Sequence, residues 1–274
     1  MLLVFIIDTN STMNTRVSGA FTLLDLAKSA VEHFLKTRGN LRNPTDRYVL
    51  VTTEEEGRPT VVRAGCEEKA AAFAEQVKKL TTSEKTAAAP TDDPQGVHPT
   101  DHRLSSAISR AFAFLTQFRL QTDVDNYGRG RAPWVLEPSA VILLTDGGSL
   151  RPTLPGGEAP MISLTFKRGF GADLSSEPFR WDQRLFSVVV NPTPGHAQVP
   201  DALKAMADVT GGLCCCASSL QILMQKMELI IHKLSMIGPV VQFAPTCAFE
   251  QTGPQPPQVT VTRALLNARN ENPR

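Results

Sequence analysis

Apolar residues in this chain alternate between short continuous runs and longer stretches with a helical period. Near-continuous apolar runs, such as LLVFII at residues 2–7 and SAVILLT at residues 139–145, are typical of strands buried on both faces of a parallel sheet. The predicted strands occupy residues 2–7, 47–53, 60–64, 139–145, 185–191 and 213–217.

Between these runs, apolar residues recur at spacings of three and four, which predicts amphipathic helices. Leu223, Met227 and Ile230 form such a stripe near the end of the chain, and Thr22 and Asp25 are placed to cap the first helix. The predicted helices occupy residues 22–37, 66–80, 104–118, 201–209 and 219–234. Strands that alternate with helices predict a doubly wound α/β domain, with a mostly parallel sheet flanked by helices on both faces.

The length of 274 residues predicts one large domain and a tail. We place the domain at residues 1–244 and a Pro-containing tail, extended or disordered, at residues 245–274. Two stretches inside the domain carry no period: a polar loop over residues 81–101 and an irregular excursion over residues 148–178.

Charge and composition narrow the classes of partner. The net charge is +1 and charged residues make up 20% of the chain. The chain therefore lacks the excess of basic residues that attracts nucleic acid or anionic lipid. No run approaches the roughly 20 apolar residues of a membrane span, and the first run lacks the basic flank and cleavage site of a signal peptide. We therefore expect no direct nucleic-acid or membrane binding, and a location in the cytosol or nucleus.

The cysteines fit neither a disulfide framework nor a zinc site. Their number is odd, and no two are spaced as a CxxC pair. They are Cys66, Cys214, Cys215, Cys216 and Cys247. We expect them to behave as small apolar side chains in a reducing compartment.

Two of the apolar runs end in aspartate. Asp8 closes the first and opens the alternation Asp8, Asn10, Thr12, whereas Asp146 closes the run SAVILLT. Ligands of open α/β sheets sit beyond the carboxyl ends of the strands, so both carboxylates should share that edge. Like charges repel unless a cation or a proton joins them, and oxygen ligands suit Mg²⁺ or Mn²⁺. The alternative is structural, because such residues often cap a helix or close an Asx turn.

The motifs FIIDTNST and LLTDGGSL resemble the metal-ion-dependent adhesion site of von Willebrand factor type A (VWA) domains, in which D-x-S-x-S and T-D-G follow two strands. The resemblance implies that Asp8, Asn10, Thr12 and Asp146 approach an ion, with Thr100 as the threonine of a further loop. Asn10 and Thr12 stand where the family pattern has serines, and Thr100 lies two residues before the expected place. We therefore expect at most weak binding of Mg²⁺ or Mn²⁺.

A closer resemblance extends over residues 1–243, to the N-terminal VWA domain of the Integrator complex subunit 6 family and its paralogue. The motifs that carry it are IDTNSTMNTR, LLDLAKSAVEHFLKTR, DRYVLVTTEE, VDNYGRGRAPWVLEP, LLTDGGSL, SSEPFRWDQRLFSVVV and DVTGG. It implies a non-catalytic nuclear scaffold, which acts in 3′-end processing of small nuclear RNA and in transcription termination. The partners that it implies are other Integrator subunits and protein phosphatase 2A.

Two segments concentrate the residue types that dominate protein interfaces, namely Arg, Trp and Tyr. Residues 125–138 and 177–186 contain both tryptophans of the chain. The candidate partner-binding residues are Tyr127, Arg129, Arg131, Trp134, Phe179, Arg180, Trp181 and Arg184. The alternative is that the tryptophans pack inward and the arginines cap loops, because Trp is usually well buried.

Other functions fit the sequence less well. FIIDTNST loosely resembles the opening motif of haloacid-dehalogenase-type phosphatases, but Asn10 replaces the second carboxylate and cannot transfer a proton. The chain has no GxxxxGK[ST] or GxGxxG loop to cradle a nucleotide. A general metal-dependent ligand-binding VWA module is a further alternative. An extracellular adhesion module is disfavoured by the odd cysteine count and the lack of a signal peptide.

Overall fold

A computed structural model describes the chain in separate segments. The described residues are 1–18, 21–41, 46–53, 61–67, 69–82, 103–121, 125–126, 130–131, 139–148, 183–191 and 199–235. The predicted tail and most of the two predicted irregular stretches lie outside them.

The described residues form strands, α-helices and a short 3₁₀ helix at Ser11–Asn14. The strands are β1 (Leu2–Ile7), β2 (Arg16–Ser18), β3 (Phe21–Thr22), β4 (Arg47–Thr52), β5 (Val61–Glu67), β6 (Asp125–Asn126), β7 (Gly130–Arg131), β8 (Ser139–Thr145), β9 (Gln183–Val190) and β10 (Leu213–Ala217). The helices are α1 (Leu23–Asn40), α2 (Ala70–Lys78), α3 (Arg103–Gln121), α4 (Asp201–Thr210) and α5 (Leu220–Ser235).

The main sheet of the described chain has the order β10-β9-β8-β1-β4-β5. Neighbouring strands are parallel, except that β5 runs antiparallel to β4 at the edge. In the centre, Val4 of β1 lies between Val49 of β4 and Val141 of β8. From β1 the chain builds outward on one side, then crosses to β8 and builds outward on the other. This order confirms the predicted doubly wound α/β fold, with its topological switch point between β1 and β8.

Apolar side chains fill both faces of the sheet. Leu3 and Phe5 of β1 face a layer formed with α1, α2 and α5, in which the Phe5 and Phe34 rings meet edge to face at 5.2 Å. Leu2 and Val4 face the opposite layer, formed with α3 and α4. Because both faces are covered, the central strands can be apolar at every position, as the sequence pattern indicates.

The first helix has the capping box that its sequence predicts. The Thr22 hydroxyl accepts a hydrogen bond from the Asp25 backbone N–H at 3.2 Å, and the Asp25 carboxylate accepts from the Thr22 backbone N–H at 3.0 Å. At the other end, a buried ion pair of 2.7 Å joins Arg38 Nε to Asp46 Oδ2, just before β4. Side chains therefore fix both ends of the crossover from α1 to β4.

The second predicted helix was placed too early. Cys66 lies in β5, and α2 begins only at Ala70. Residues 61–67 pair with β4 through an irregular register, so pairing with the sheet outweighs the helical spacing around Cys66. The small hairpins β2–β3 and β6–β7 were not predicted, because strands of two or three residues carry no periodic signal.

Three consecutive cysteines form most of β10, at the edge of the main sheet. Cys214 and Cys216 pack against one apolar layer and Cys215 packs against the other. All three are partly buried, and none forms a disulfide with another cysteine of the described residues. Burial raises the pKa of Cys214 and raises the pKa of Cys215 to about 12. Among the helices that the structure describes, none is long and apolar enough to span a membrane.

Candidate functional site

The switch point brings together the ends of three adjacent parallel strands. Asp8 follows β1, Thr53 follows β4, and Thr145 is the last residue of β8. The ends meet because Ile7 is level with Thr52 on one side and with Leu144 on the other. Polar side chains at these three positions therefore converge on one point at the carboxyl edge of the sheet.

Asp8 is fully buried at this point, and both of its carboxylate oxygens accept hydrogen bonds. Oδ1 accepts from the Asn10 backbone N–H at 3.0 Å and from the Thr53 hydroxyl at 2.9 Å. Oδ2 accepts from the Thr145 hydroxyl at 2.6 Å. We call Asp8, Thr53 and Thr145, with the Asn10 backbone N–H, the Asp8 cluster.

Thr53 and Thr145 were not among the predicted site residues. The signal for Thr145 is its place immediately before Asp146 at the end of an apolar strand. The signal for Thr53 is the pair of threonines that ends RYVLVTT, but its use requires knowing that this strand lies beside β1. Strand adjacency is a property of the sheet order, so local sequence patterns do not supply it.

The electrostatics of Asp8 reflect its burial. Loss of solvation raises the pKa of the Asp8 carboxyl, and the nearby Asp146 carboxylate raises it further. The hydrogen bonds from Thr145, Asn10 and Thr53 oppose this rise in pKa, because they stabilise the charged form. The predicted proximity of Asp8 and Asp146 is thus present in the structure.

Asn10 directly precedes the 3₁₀ helix that follows β1, and Thr12 lies within it. The Asn10 side-chain oxygen accepts from the Ser11 backbone N–H at 2.7 Å and so caps this helix. Thr12 is exposed, and its backbone carbonyl accepts from the Thr15 hydroxyl at 2.7 Å. The cap that the sequence offered as the structural alternative is therefore formed by Asn10.

The turn after β8 explains the two glycines of TDGG. Gly147 has φ of 73°, a left-handed conformation that favours glycine. A Cβ on Gly148 would lie 3.0 Å from Asp146 Oδ2, and the Gly148 backbone N–H donates to Asp146 Oδ1 at 2.9 Å. Gly148 therefore lets the backbone close tightly on the Asp146 carboxylate.

These contacts bear on the divalent cation that the sequence motif implies. Asp8 already accepts three hydrogen bonds, and a carboxylate offers about four lone-pair sites. The Asn10 oxygen is used by the helix cap. Within the described segments, no group of three or more His, Cys, Asp or Glu is placed to hold a metal. Thr100 lies outside the described residues. The described residues therefore leave a divalent cation about one lone-pair site on Asp8, and as they stand they do not complete a cation site.

Most of the predicted partner-binding residues lie outside the described part of the chain. They are Tyr127, Arg129, Trp134, Phe179, Arg180 and Trp181. Arg131 lies in β7, opposite Asp125 of β6. Arg184 is 4% exposed, and its guanidinium donates to the Gly211 carbonyl at 3.1 Å. Burial also lowers the pKa of Arg184. This packing speaks against a partner contact by Arg184.

Curated proteins to which the chain is similar include Integrator complex subunit 6 and proteins named after it. The chain is 38% identical to Integrator complex subunit 6 of Danio rerio, over 94% of this chain and 27% of that protein. It is 37% identical to the human Integrator complex subunit 6-like protein, over 99% of this chain and 30% of that protein. It is 36% identical to the Integrator complex subunit 6 homolog of Dictyostelium discoideum, over 94% of this chain and 22% of that protein. The chain thus spans less than a third of the length of these relatives.

Solved structures with a similar backbone include VWA proteins. One from Catenulispora acidiphila covers 85% of this chain and 42% of its own, at 17% identity and a TM-score of 0.49. The match to the ArnB paralog VWA2 from Sulfolobus acidocaldarius covers 85% of this chain and 44% of that protein, at 14% identity and a TM-score of 0.41. No protein-family model matches the chain. The assignment of the fold rests on the strand order of this chain.

Proposed function

Because this chain is a homologue of the Integrator complex subunit 6 proteins over nearly its whole length, we propose that it is a non-catalytic interaction module of an Integrator assembly. The observation that carries the proposal is the identity of 36 to 38% across 94 to 99% of the chain, which covers helices, strands and connecting segments alike. The chain corresponds to a part of its relatives, so its share of their work is that of a module.

The geometry of the switch point supports a role without catalysis. A nucleophile or general base must reach the reacting atom of a substrate. Asp8 is fully buried and is held by two hydroxyls and a backbone N–H, so its carboxylate is withdrawn from any substrate. Asn10, where a phosphatase of the haloacid-dehalogenase type has its acid, caps a helix. The Asp8 cluster therefore supports a structural role for FIIDTNST over the phosphatase alternative.

The finer proposal comes from the sequence resemblance. We infer that the module acts in the nucleus, in 3′-end processing of small nuclear RNA and in transcription termination, together with other Integrator subunits and protein phosphatase 2A. The net charge of +1 favours contacts with proteins over direct contacts with RNA. The partner surface that we propose includes Trp134 and Trp181, in the two segments rich in Arg and aromatic residues.

The test is affinity purification of the tagged chain from nuclear extract, followed by mass spectrometry. We expect other Integrator subunits to copurify, and protein phosphatase 2A with them. Trp134→Ala and Trp181→Ala should reduce recovery severalfold, whereas Phe21→Ala, at a side chain that is 61% exposed on the described surface, is the matched control. Circular dichroism checks that each variant folds.

The results of the purification distinguish membership in the Integrator assembly from association with the phosphatase. A folded chain that recovers no Integrator subunit contradicts membership in the assembly. Recovery of Integrator subunits without the phosphatase contradicts only the finer proposal. Hydrolysis of a generic phosphate ester that disappears in Asp8→Asn contradicts a non-catalytic role.

A further inference from the structure

The Asp8 cluster gathers donors from three separate parts of the chain onto one carboxylate. They come from the loop after β1 through the Asn10 N–H, from the end of β4 through Thr53, and from the end of β8 through Thr145. The two hydroxyls are 45 and 137 residues away from Asp8 along the chain. A single buried side chain thus ties together the three central strands at the edge where their loops begin.

Each threonine hydroxyl accepts a hydrogen bond from a backbone N–H and donates its own proton to Asp8. Thr145 Oγ1 accepts from the Gly147 backbone N–H at 3.0 Å and donates to Asp8 Oδ2. Thr53 Oγ1 accepts from the Thr9 backbone N–H at 2.9 Å, lies 3.3 Å from the Thr9 hydroxyl and donates to Asp8 Oδ1. A hydroxyl has one proton, so a Thr53 hydroxyl that donates to Asp8 can only accept from Thr9. Each carboxylate oxygen of Asp8 therefore faces the positive end of one O–H bond.

Desolvation makes these donors important. A buried carboxylate without partners is strongly destabilising, so other groups must compensate its charge. A divalent cation is one solution, and charge-assisted hydrogen bonds from hydroxyls are another. The second solution is present here at 2.6 and 2.9 Å, and it uses the oxygens that a cation would need.

We propose that the Thr53 and Thr145 hydroxyls replace a divalent cation as the groups that hold the Asp8 carboxylate at the carboxyl ends of β1, β4 and β8. Thr53 and Thr145 are positioning residues in this arrangement, and the described residues that follow these strands, namely 8–10, 53 and 146–148, keep their geometry without metal. The proposal concerns the fold of the site and does not depend on the partner of the module.

Matched substitutions at each threonine test the role of the hydroxyls. Thr145→Ser and Thr53→Ser keep the hydroxyl and lose a methyl group, whereas Thr145→Val and Thr53→Val keep the shape and lose the donor. We expect each valine variant to melt roughly 2–8 °C below its serine counterpart, because a buried acceptor loses its partner. Serine variants that melt at or below the temperature of the valine variants would overturn the proposal.

Metal titration of the parent chain tests whether the site needs a divalent cation. We expect the melting temperature to be the same with MgCl₂ or MnCl₂ at millimolar concentration as with EDTA. In the samples with MnCl₂ and no EDTA, the free Mn²⁺ measured by electron paramagnetic resonance should match the amount added. A saturable rise in melting temperature with Mn²⁺ that is lost in Asp146→Ala would overturn the proposal. This measurement decides the question even where a valine variant fails to fold.

Discussion

Single residues decide how closely β9 and the end of α4 approach each other. Thr210 ends α4, and its hydroxyl accepts from the Leu185 backbone N–H at 3.1 Å. Gly211 follows with φ of 67°, in the left-handed region that ends many helices. A Cβ built on Gly212 would lie 1.7 Å from the Leu185 carbonyl oxygen. The triplet TGG therefore combines a hydroxyl, a left-handed turn and a backbone contact that only glycine permits.

Substitution at Gly212 tests this contact. Gly212→Ala should lower the free energy of unfolding by at least about 3 kcal/mol, the upper end for overpacked interiors, because rigid backbone cannot move aside. Gly39→Ala is the matched control, since a Cβ there meets nothing within 4 Å. The control should be neutral or gain up to about 1 kcal/mol from helix propensity. Urea unfolding followed by circular dichroism measures both, and equal stabilities would contradict the contact.

Among the elements, α1 shows how far local sequence determines structure. Its cap needs only Thr22 and Asp25, three residues apart, so the sequence alone predicts where the helix begins. The start of α2 was predicted wrongly, because pairing with the preceding strand β4 keeps residues 61–67 in the sheet beyond the predicted end of β5. Elements that depend on neighbours in sequence are predictable from a single chain, and those that depend on neighbours in space are less so.

The cap of α1 predicts a dependence of stability on pH. The backbone and hydroxyl of Thr22 donate to the Asp25 carboxylate and hold its pKa below 3.8. A lowered pKa in the folded state gives stability that is present above pH 3.8 and is lost as the pH falls through the folded value. Thr22→Ala should cost about 1 kcal/mol at neutral pH.

The comparison variant for the cap is Asp25→Asn, which keeps the shape of the side chain without its charge. The parent chain should be more stable than this variant at neutral pH, and the difference in free energy of unfolding should shrink as the pH falls below 3.8. Urea titrations at the two pH values measure the difference. A difference that stays constant would argue against a charged cap.

At the scale of the molecule, the sheet separates two apolar layers. Ile231 of α5 belongs to one layer and Ile108 of α3 to the other. Ile231→Val and Ile108→Val should each cost about 0.5–1.5 kcal/mol. Because the sheet lies between them, the double variant should lose the sum to within about 0.5 kcal/mol.

A pair from within one layer is the control for additivity. Val31 and Ile231 both belong to the layer formed with α1, α2 and α5. We therefore expect the effects of Val31→Ala and Ile231→Val on the free energy of unfolding to depart from additivity in the double variant. Double-mutant cycles from urea unfolding measure both pairs. Stronger coupling across the sheet than within the layer would contradict the separation of the two layers.

The sequence predicted the sheet and the meeting of Asp8 and Asp146, because both follow apolar strands and the carboxyl ends of parallel strands share an edge. It did not predict that Thr53 and Thr145 hold Asp8, since this depends on which strands flank β1 and on where each hydroxyl proton points. The family pattern names the residues around a cation and is silent on the donors that can take its place.

The cysteines of β10 have a practical consequence. With a pKa of about 12, the Cys215 thiol is almost entirely protonated at neutral pH, and the pKa of Cys214 is raised as well. Alkylating reagents and disulfides react with the thiolate, so both thiols are poor targets while the chain is folded. A cysteine introduced on the exposed side of α1 or α5 would react ahead of them. Fluorescent or spin labels could therefore be attached there without removing Cys214 and Cys215.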